Sequence, residues 1–384
     1  NVVTNLKFRG SYGLVGNDAL GDDHRFPYIT EVNMGARAYV FGSNFTSVGA
    51  GYISNYGNAD ATWEVARKLN VGVDLELFDD LNIAVDWFRE YRTDIFMQRK
   101  SFASHGGVGG SLPFANLGET VNSGVDLSIN YNKVVNSDFQ YSIRGTFTYA
   151  KSQVMAMDEP DYSANPHLSK VGKPIHSNKV LIAEGLFTSQ EEIDNSPRQD
   201  FGTYGVGDIK YKDVNEDGVV NSNDFVWSEK PYFPEVQYGF GGSIKYKNFD
   251  ASLMFQGSAR YDITMYNHHP FCDATHFGYG IVKYIADDHW SWDNNNKDAG
   301  YPRLTSVPLD NNSQESTFYM HDASFLRLKS AEVGYTFKFV RFYLSGNNLF
   351  YVSNFKYWDP EKGRGNGLSY PLQRTVRLGF QFTF

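Results

Sequence analysis

The side chains best suited to chemistry in this sequence lie in one acidic stretch, residues 213–224. Oxygen donors stand at loop positions 1, 3 and 5, Gly218 stands at position 6, and a carboxylate stands at position 12. In a loop with this spacing the alternate side chains converge on one point and glycine permits the sharp turn, as in an EF-hand calcium loop. The spacing therefore predicts a Ca²⁺ site. Its expected ligands are Asp213, Asn215, Asp217, the backbone carbonyl of Val219, Asn221 (through water) and Asp224.

Two features limit the role of this loop. Asp224 stands where an EF-hand usually has glutamate, and its shorter side chain reaches less far toward bidentate binding. The flanking sequence does not predict two helices, so the ion would stiffen a long loop and would not act as a switch or a catalyst. A turn rich in Asp and Asn, without a metal, is the alternative interpretation.

A second group, His268, His269, Cys272 and His276, contains the softer donor atoms that zinc accepts. The spacing of these residues matches no well-defined zinc pattern, so the sequence favours an ordinary polar loop. Cys272 is the only cysteine, which excludes a disulfide bond within the chain.

Trp290 and Trp292 lie in the segment DDHWSWDNNN, beside several Asp and Asn residues. Aromatic rings can stack on the faces of sugar rings while neighbouring polar groups bind the hydroxyls. Both tryptophans are therefore candidate substrate-binding residues. The alternative is that they pack within their own loop, as loop aromatics commonly do.

Enzymatic motifs are absent from the sequence, which contains no Gly-x-Ser-x-Gly elbow, no Walker loop and no His-Glu-x-x-His. The sequence therefore predicts a protein that is not an enzyme. The net charge is −9 and no dense basic patch appears, so a nucleic-acid partner is not expected.

The groups described above lie in loops, and the elements that position these loops are predicted to be β-strands. The sequence has 26 Tyr and 30 Phe residues but a mean hydropathy of −0.44, and no apolar run is long enough for a membrane helix. A barrel strand needs only every second residue to be apolar, so its mean hydropathy stays low. Alternation predicts ten strands, near residues 5–14, 63–77, 81–96, 121–131, 139–149, 236–246, 249–257, 324–337, 340–350 and 374–384.

The connections between these strands fall into two classes. Four are only a few residues long, at 78–80, 134–137, 247–248 and 338–339, whereas five are long, at about 15–62, 97–118, 152–234, 262–322 and 351–372. Short turns at one end and long loops at the other are typical of outer-membrane β-barrels. A soluble β-sandwich also alternates, but it rarely separates its loop lengths by end over ten strands.

The last predicted strand carries a further signal, because its apolar residues alternate with polar residues or glycine up to Phe384. An amphipathic strand that ends on an aromatic residue is typical of outer-membrane barrels, whose assembly machinery recognises it. A half-buried edge strand of a soluble protein is the alternative. The predicted assembly signal consists of Phe380, Phe382 and Phe384.

Six segments of the sequence, taken in chain order, resemble those of a known protein family. They are NLKFRGSYGLVGN (5–17), NADATWEVARKLNVGVDLELFDDLNIAVDWFREYRTDIF (58–96), GKPIHSNKVLIAEGLFTSQEEID (172–194), GDIKYKDVNEDGVVNSNDF (207–225), SFLRLKSAEVGYTF (324–337) and NNLF (347–350). Together they resemble the barrel half of the SusC-like (SusC/RagA) TonB-dependent transporters, from near residue 5 to the last residue. The 58–62 segment lacks the proline-containing turn usual in that family, and the 262–300 loop has no clear counterpart, which leaves substrate choice open.

The resemblance implies an all-β fold, an antiparallel transmembrane β-barrel of 22 strands that encloses a plug. Residues 1–384 would supply about ten C-terminal strands, and the long extracellular loop 152–234 would contain the calcium-type loop 213–224. The plug, the Ton box and the signal peptide of the family have no counterpart in this sequence. Because open sheet edges are not tolerated in lipid, the remaining strands are expected upstream or on another chain.

By the same resemblance, the intact protein would be a nutrient importer of the outer membrane. It would take up oligosaccharides, or peptides, together with a SusD-like surface lipoprotein, and TonB would act on it through the plug. Lys68, Asp74, Asp126 and Arg144 are expected on the polar face that lines the lumen, while the other face meets outer-membrane lipid. The alternatives are a passive porin and a secreted, calcium-stabilised carbohydrate-binding β-protein.

Overall fold

The computed structural model describes residues 2–19, 26–101, 112–265, 281–306, 309–365 and 367–383. Strands dominate the regular structure in these ranges. In chain order they are β1 (Val3–Asn17), β2 (Glu31–Phe41), β3 (Thr46–Asn55), β4 (Glu64–Leu77), β5 (Leu81–Gln98), β6 (Phe114–Asn136), β7 (Phe139–Ala156), β8 (Ser177–Val180), β9 (Ala183–Leu186), β10 (Arg198–Gln199), β11 (Ile209–Tyr211), β12 (Val219–Val220), β13 (Val226–Pro231), β14 (Val236–Tyr246), β15 (Phe249–Ala259), β16 (Asp262–Thr264), β17 (Met320–Asp322), β18 (Phe325–Phe337), β19 (Val340–Ser353) and β20 (Thr375–Phe382).

Helices are short throughout the described ranges, and none of them is long and apolar enough to cross a membrane. The two α-helices are α1 (Gln190–Asp194) and α2 (Lys283–Asp287). Short 3₁₀ turns occur at Pro166–Leu168, Ser222–Asp224, Asn311–Ser313, Thr317–Tyr319 and Pro360–Lys362.

Ten strands form one antiparallel sheet in the order β1-β4-β5-β6-β7-β14-β15-β18-β19-β20. Each corresponds to a strand that alternation predicts, so the predicted all-β, antiparallel architecture is confirmed. Turns of two or three residues (78–80, 137–138, 247–248 and 338–339) join the strands at one end, and the long connections join them at the other. Among the residues that the structure describes, β1 and β20 each pair with a single strand, so both sheet edges are open.

The two faces of the sheet differ in polarity, because successive side chains of a strand point to opposite sides. Phe8 and Leu378 on one face are 73% and 83% exposed. Because large apolar side chains are unfavourable in water, this face is not suited to contact with water. One row of directly paired residues on this face crosses nine strands: Leu6, Leu75, Ile83, Ile129, Gly145, Phe240, Phe255, Leu328 and Phe350. The adjacent row on the opposite face is mostly polar: Lys7, Asp74, Ala84, Ser128, Thr146, Gly239, Gln256, Arg327 and Tyr351.

An ion-pair clamp spans three neighbouring strands on the polar face. Arg9 on β1 donates to both carboxylate oxygens of Asp74 and of Asp86, with N···O distances of 2.8 and 2.9 Å in each case. To reach Asp86 on β5, the arginine side chain crosses β4 at Gly72. A Cβ atom on Gly72 would lie 2.9 Å from a guanidinium nitrogen of Arg9 and closer still to Asp86. The clamp therefore requires glycine at this crossing.

A second clamp repeats this arrangement on β15, β18 and β19. Arg341 on β19 crosses β18 at Gly334, and its Nε lies 2.9 Å from the carboxylate of Asp250 on β15. It also donates to Glu332 at 2.7 Å. A Cβ atom on Gly334 would lie 2.5 Å from the arginine and 2.6 Å from Asp250. Each clamp thus joins three strands through one arginine.

Three of the long connections fold together at one end of the sheet. We call them the loop cap, which comprises the described parts of residues 157–235, 260–324 and 354–374. The cap contains the two-stranded sheets β8–β13, β9–β11, β10–β12 and β16–β17. A separate hairpin, β2–β3, lies in the first long connection, and alternation did not predict it. The long connections therefore have structure of their own.

We expect Gly72→Ala to destabilise the sheet of the full-length protein in detergent, because the added methyl group displaces the Arg9–Asp86 pair. Gly10→Ala is the matched control on the neighbouring strand, where no atom lies within 4 Å of the new Cβ. The unfolding temperature, read from the heat-induced shift of the folded band in gel electrophoresis, should fall only for Gly72→Ala. An equal fall in both variants would contradict the proposed need for glycine at the crossing.

Candidate functional site

The loop cap is built around a hydrophobic core to which all three connections contribute. Its buried members include Ile209 and Tyr211 from the first connection, Ile263 and Ile285 from the second, and Phe355 from the third. Each fully buried large apolar side chain contributes about 1.5–3 kcal/mol to the free energy of unfolding. The shared core therefore holds segments that are distant in sequence in one arrangement and positions the candidate functional residues.

A buried polar network joins the first two connections beside this core. Asp208 is fully buried, and its carboxylate accepts two hydrogen bonds from Arg303, at 2.8 and 2.9 Å. It also accepts one from the side chain of Asn312 at 2.9 Å and one from the backbone of Gly205 at 2.7 Å. A buried charge is tolerated only when it is paired and hydrogen-bonded in this way. The network is accordingly a structural joint between two loops.

The buried tyrosines of the cap keep their protons at neutral pH. Burial raises the pKa of Tyr211, Tyr301 and Tyr319 well above the usual range, and it raises the pKa of Tyr284 to about 12. The Tyr211 hydroxyl donates to the backbone carbonyl of Asn311 at 2.7 Å. These phenols are therefore neutral at physiological pH and support the packing of the cap.

The 213–224 segment forms the compact loop that its spacing predicts. Asp213 accepts the backbone N–H of Gly218 at 2.8 Å, across the turn. Asn215 and Asp217 accept backbone N–H groups two residues further on, at 3.2 and 2.9 Å. Gly218 has φ +85°, a left-handed conformation that glycine adopts without steric cost. Alternate side chains therefore fold toward the inside of the turn.

Asp224 closes this loop through contacts that the spacing did not reveal. Its fully buried carboxylate accepts the backbone N–H groups of Val214 (2.8 Å), Asn215 (3.4 Å) and Asn221 (2.7 Å). The side chain of Asn221 in turn accepts the N–H of Asn223 at 2.8 Å and caps the Ser222–Asp224 turn. Asp224 thereby ties the two ends of the loop together.

The predicted ligands of the loop differ in how far the protein already satisfies them. Asp213 Oδ1 is shielded from solvent and has no hydrogen-bond partner, so a bound ion would satisfy it. The Asp224 carboxylate, by contrast, already has three backbone donors. In the part of the chain that the structure describes, no group of three or more His, Cys, Asp or Glu side chains is arranged to hold a metal. The calcium site stays a prediction, and Asp213 is its expected ligand with a shielded oxygen that makes no hydrogen bond.

The two candidate tryptophans have different environments. Trp290 is 3% exposed, its indole N–H donates to Asn295 at 3.1 Å, and its ring lies against Gly207, where a Cβ would overlap it. Contrary to expectation, the ring of Trp290 is therefore part of the cap core and is covered from any sugar. Trp292 is 77% exposed and meets the Trp290 ring edge-to-face, with centroids 5.0 Å apart. Substrate contact by Trp292 stays a prediction.

The four residues expected to line the lumen lie on the polar face of the sheet. Lys68 and Asp74 each form an ion pair with a residue of a neighbouring strand, at 3.2 and 2.8 Å. Asp126 accepts a hydrogen bond from a threonine hydroxyl at 2.7 Å, and Arg144 is exposed. Much of the charge on this part of the wall is thus paired within the wall itself.

Two of the three predicted assembly-signal residues are described. Phe380 and Phe382 are 66% and 48% exposed on the apolar face of β20, with ring centroids 5.6 Å apart. Phe384 lies outside the described residues, and so does the soft-ligand group His268, His269, Cys272 and His276.

An amphipathic sheet whose long connections all lie at one end has the form of an outer-membrane barrel wall. Residues 2–349 match the protein family described as TonB dependent receptor-like, beta-barrel. The chain belongs to this family. Membership confirms the predicted outer-membrane location and transmembrane barrel fold, and the alternative of a secreted soluble β-protein is wrong.

Related TonB-dependent receptors support the SusC-like resemblance. The chain is 26% identical to TonB-dependent receptor P3 of Formosa agariphila over 419 residues, and 24% identical to TonB-dependent receptor SusC of Bacteroides thetaiotaomicron over 405 residues. Both alignments cover 100% of this chain but only 40% and 38% of the relatives, so the chain spans about two fifths of their length. The structure of the RagAB peptide transporter superposes with a TM-score of 0.70 at 19% identity, covering 100% of this chain and 41% of that one, which shows a shared fold.

We expect Trp290→Ala to loosen the loop cap, because truncation of a buried tryptophan costs about 3–5 kcal/mol. Trp292→Ala is the matched control, and it should lower the stability by only about 0.5–1.5 kcal/mol, because its exposed side chain loses one edge-to-face contact. Hydrogen exchange of the Gly207 amide, which donates to Phe187 at 2.7 Å, should accelerate only in Trp290→Ala. Equal protection of this amide in both variants would mean that Trp290 does not support the cap.

Proposed function

We propose that this chain forms part of the barrel wall of a TonB-dependent nutrient importer. The observation that carries the proposal is the contrast between the two faces of the ten-stranded sheet. The apolar face is exposed, as lipid contact requires, and the polar face carries paired charges such as Arg9–Asp86 and Arg341–Asp250. Since open sheet edges are not tolerated in lipid, the ten strands would be one arc of a closed barrel.

The proposed cargo is an oligosaccharide, with a peptide as the second candidate. The exposed ring of Trp292, which is followed in sequence by Asp293 and Asn294, supports a sugar. The fold shared with the RagAB peptide transporter supports the peptide alternative. We further propose that TonB acts through a plug, in keeping with the names of the relatives, which are TonB-dependent receptors. From the resemblance to the SusC-like transporters, we also propose that a SusD-like lipoprotein covers the loop cap.

In cells that carry the full-length protein, deletion of its gene should abolish growth on one class of oligosaccharide and spare growth on the corresponding monosaccharide. A protonophore should also stop uptake of the labelled oligosaccharide, because TonB transmits the proton-motive force of the inner membrane. Uptake that survives the protonophore would contradict the proposal and indicate a passive porin. Growth lost on peptides, and on no oligosaccharide, would replace the sugar by a peptide as the cargo.

We also propose that the 213–224 loop takes Ca²⁺ as a structural ion. Asp213, Asn215, Asp217 and the Val219 carbonyl would hold it, with Asn221 contributing through water. Asp224 would bind the ion only if its carboxylate contacted the ion and the backbone N–H groups of Val214 and Asn221 at the same time. The ion would supply no chemistry beyond charge neutralisation and stiffening of this segment.

Calorimetric titration of the calcium-depleted full-length protein should show Ca²⁺ binding, and Asp213→Asn should weaken it by about tenfold or more. Glu216→Gln is the matched control, because it removes a charge from the same loop but none of the proposed ligands. Its affinity for Ca²⁺ should remain close to that of the unmodified protein. No binding by the unmodified protein, or equal weakening by both substitutions, would identify the segment as an Asx-rich turn.

A further inference from the structure

Aromatic rings and cations form a strip on the loop cap, along β13 and the residues that follow it. Trp227 lies in β13, and Tyr232 and Phe233 come directly after the strand. The Nζ of Lys170 lies 4.6 Å from the ring centre of Trp227, and the guanidinium carbon of Arg364 lies 4.0 Å from that of Tyr232. Cations from two different connections therefore rest on rings that one segment presents.

The rings of this strip are fixed by the backbone beneath them. The N–H of Tyr232 donates to the carbonyl of His176 at 3.1 Å, and the His176 Nδ1 lies 3.2 Å from the Tyr232 hydroxyl. Phe233 packs at 4.8 Å from both of these rings, measured between centroids, yet it remains 56% exposed. The strip thus presents an aromatic side chain that is fixed by its neighbours and exposed to solvent.

The cations of the strip influence one another's protonation. Burial and the charge of Lys100 lower the pKa of Lys170, while burial together with Lys170 and Arg364 lowers the pKa of His176. Arg364 lowers the pKa of Glu315, but burial of this carboxyl has the larger effect and raises its pKa overall.

The acids next to the two lysines are engaged by the backbone. Asp158 accepts the N–H of Lys100 at 2.7 Å, and Glu159 accepts the N–H of Lys170 at 3.1 Å. The strip combines ammonium and guanidinium groups with the exposed ring of Phe233. Such a surface complements an anionic group carried on a flat and partly apolar ring.

We propose that the strip binds an acidic oligosaccharide, with one sugar ring packed on Phe233 and its carboxylate or sulfate groups paired with Arg364 and Lys170. This inference rests on the proposed importer function and deepens it by naming the substrate class. Uronic acids and sulfated sugars share the required chemistry of a ring with an anionic substituent. A peptide fits less well, because its amide groups would lose hydrogen bonds to water against aromatic faces.

Calorimetry on the purified full-length protein tests this site with four probes: a galacturonic acid tetramer, a sulfated galactose tetramer, a neutral galactose tetramer and a tetraglutamate peptide. We expect both acidic sugars to bind with an affinity that falls as the salt concentration rises. The neutral sugar and the peptide should bind at least about tenfold more weakly, since each lacks one of the two complementary features.

Arg364→Gln and Lys170→Gln should each weaken the binding of the acidic sugars by about tenfold. Lys173→Gln is the matched control, because it removes the same charge three residues along from Lys170, where Glu229 already pairs with it at 2.8 Å. Its affinity for the acidic sugars should not change. An unaltered unfolding temperature in all three variants would show that lost binding is not lost folding.

Three results would overturn the inference: no binding of either acidic sugar, tighter binding of the peptide, or equal weakening by Lys170→Gln and Lys173→Gln. These results are separate from the uptake experiment. If TonB-dependent uptake of another nutrient persists while no acidic sugar binds, the importer function stands and the strip is not its substrate site. If acidic sugars bind but uptake survives the protonophore, the site stands and the importer proposal fails.

Discussion

The rest of this structure depends on the requirement that every backbone N–H and C=O group in lipid be hydrogen-bonded within the protein. A continuous antiparallel sheet meets that requirement from β4 to β19 apart from local register shifts, and each strand alternates between a lipid face and a lumen face. The ladder also decides where glycine is needed. Arg9 and Arg341 join strands that are not neighbours, and each must pass over the strand between them at a position without a side chain.

The molecule meets two solvents and uses a different kind of packing for each. The sheet leaves its large apolar side chains exposed, because lipid replaces the core that a soluble protein would build. The loop cap, in contrast, buries Ile209, Ile263 and Phe355 and encloses the charge of Asp208, as a water-soluble domain does. Candidate ligand contacts therefore belong to the cap, where aromatic rings such as Trp292 and Phe233 remain exposed beside polar and charged groups.

The sequence predicted the sheet well because alternation is a local property of each strand. All ten strands appear near the expected places, and three of the four short turns do as well. The turn expected at 134–137 is confined to residues 137–138, because β6 continues to Asn136. The cap was not predictable in this way, since its core depends on contacts between residues about a hundred positions apart, such as Tyr211 and Asn311. For the same reason local composition did not distinguish the buried Trp290 from the exposed Trp292. The spacing of the acidic loop likewise did not show that the Asp224 carboxylate binds backbone N–H groups at both ends of the loop.

The position of the cap core has a consequence for the order of folding. One connection lies between β7 and β14, the second lies between β15 and β18, and the third follows β19. The core cannot close until all three connections are on the same side of the membrane. Contacts between residues so distant in the chain form late, because a long loop must be closed before they contribute stability. A closed cap therefore reports that the hairpins beneath it have already crossed the bilayer, and its acquisition of protease resistance marks the end of assembly for this part of the wall.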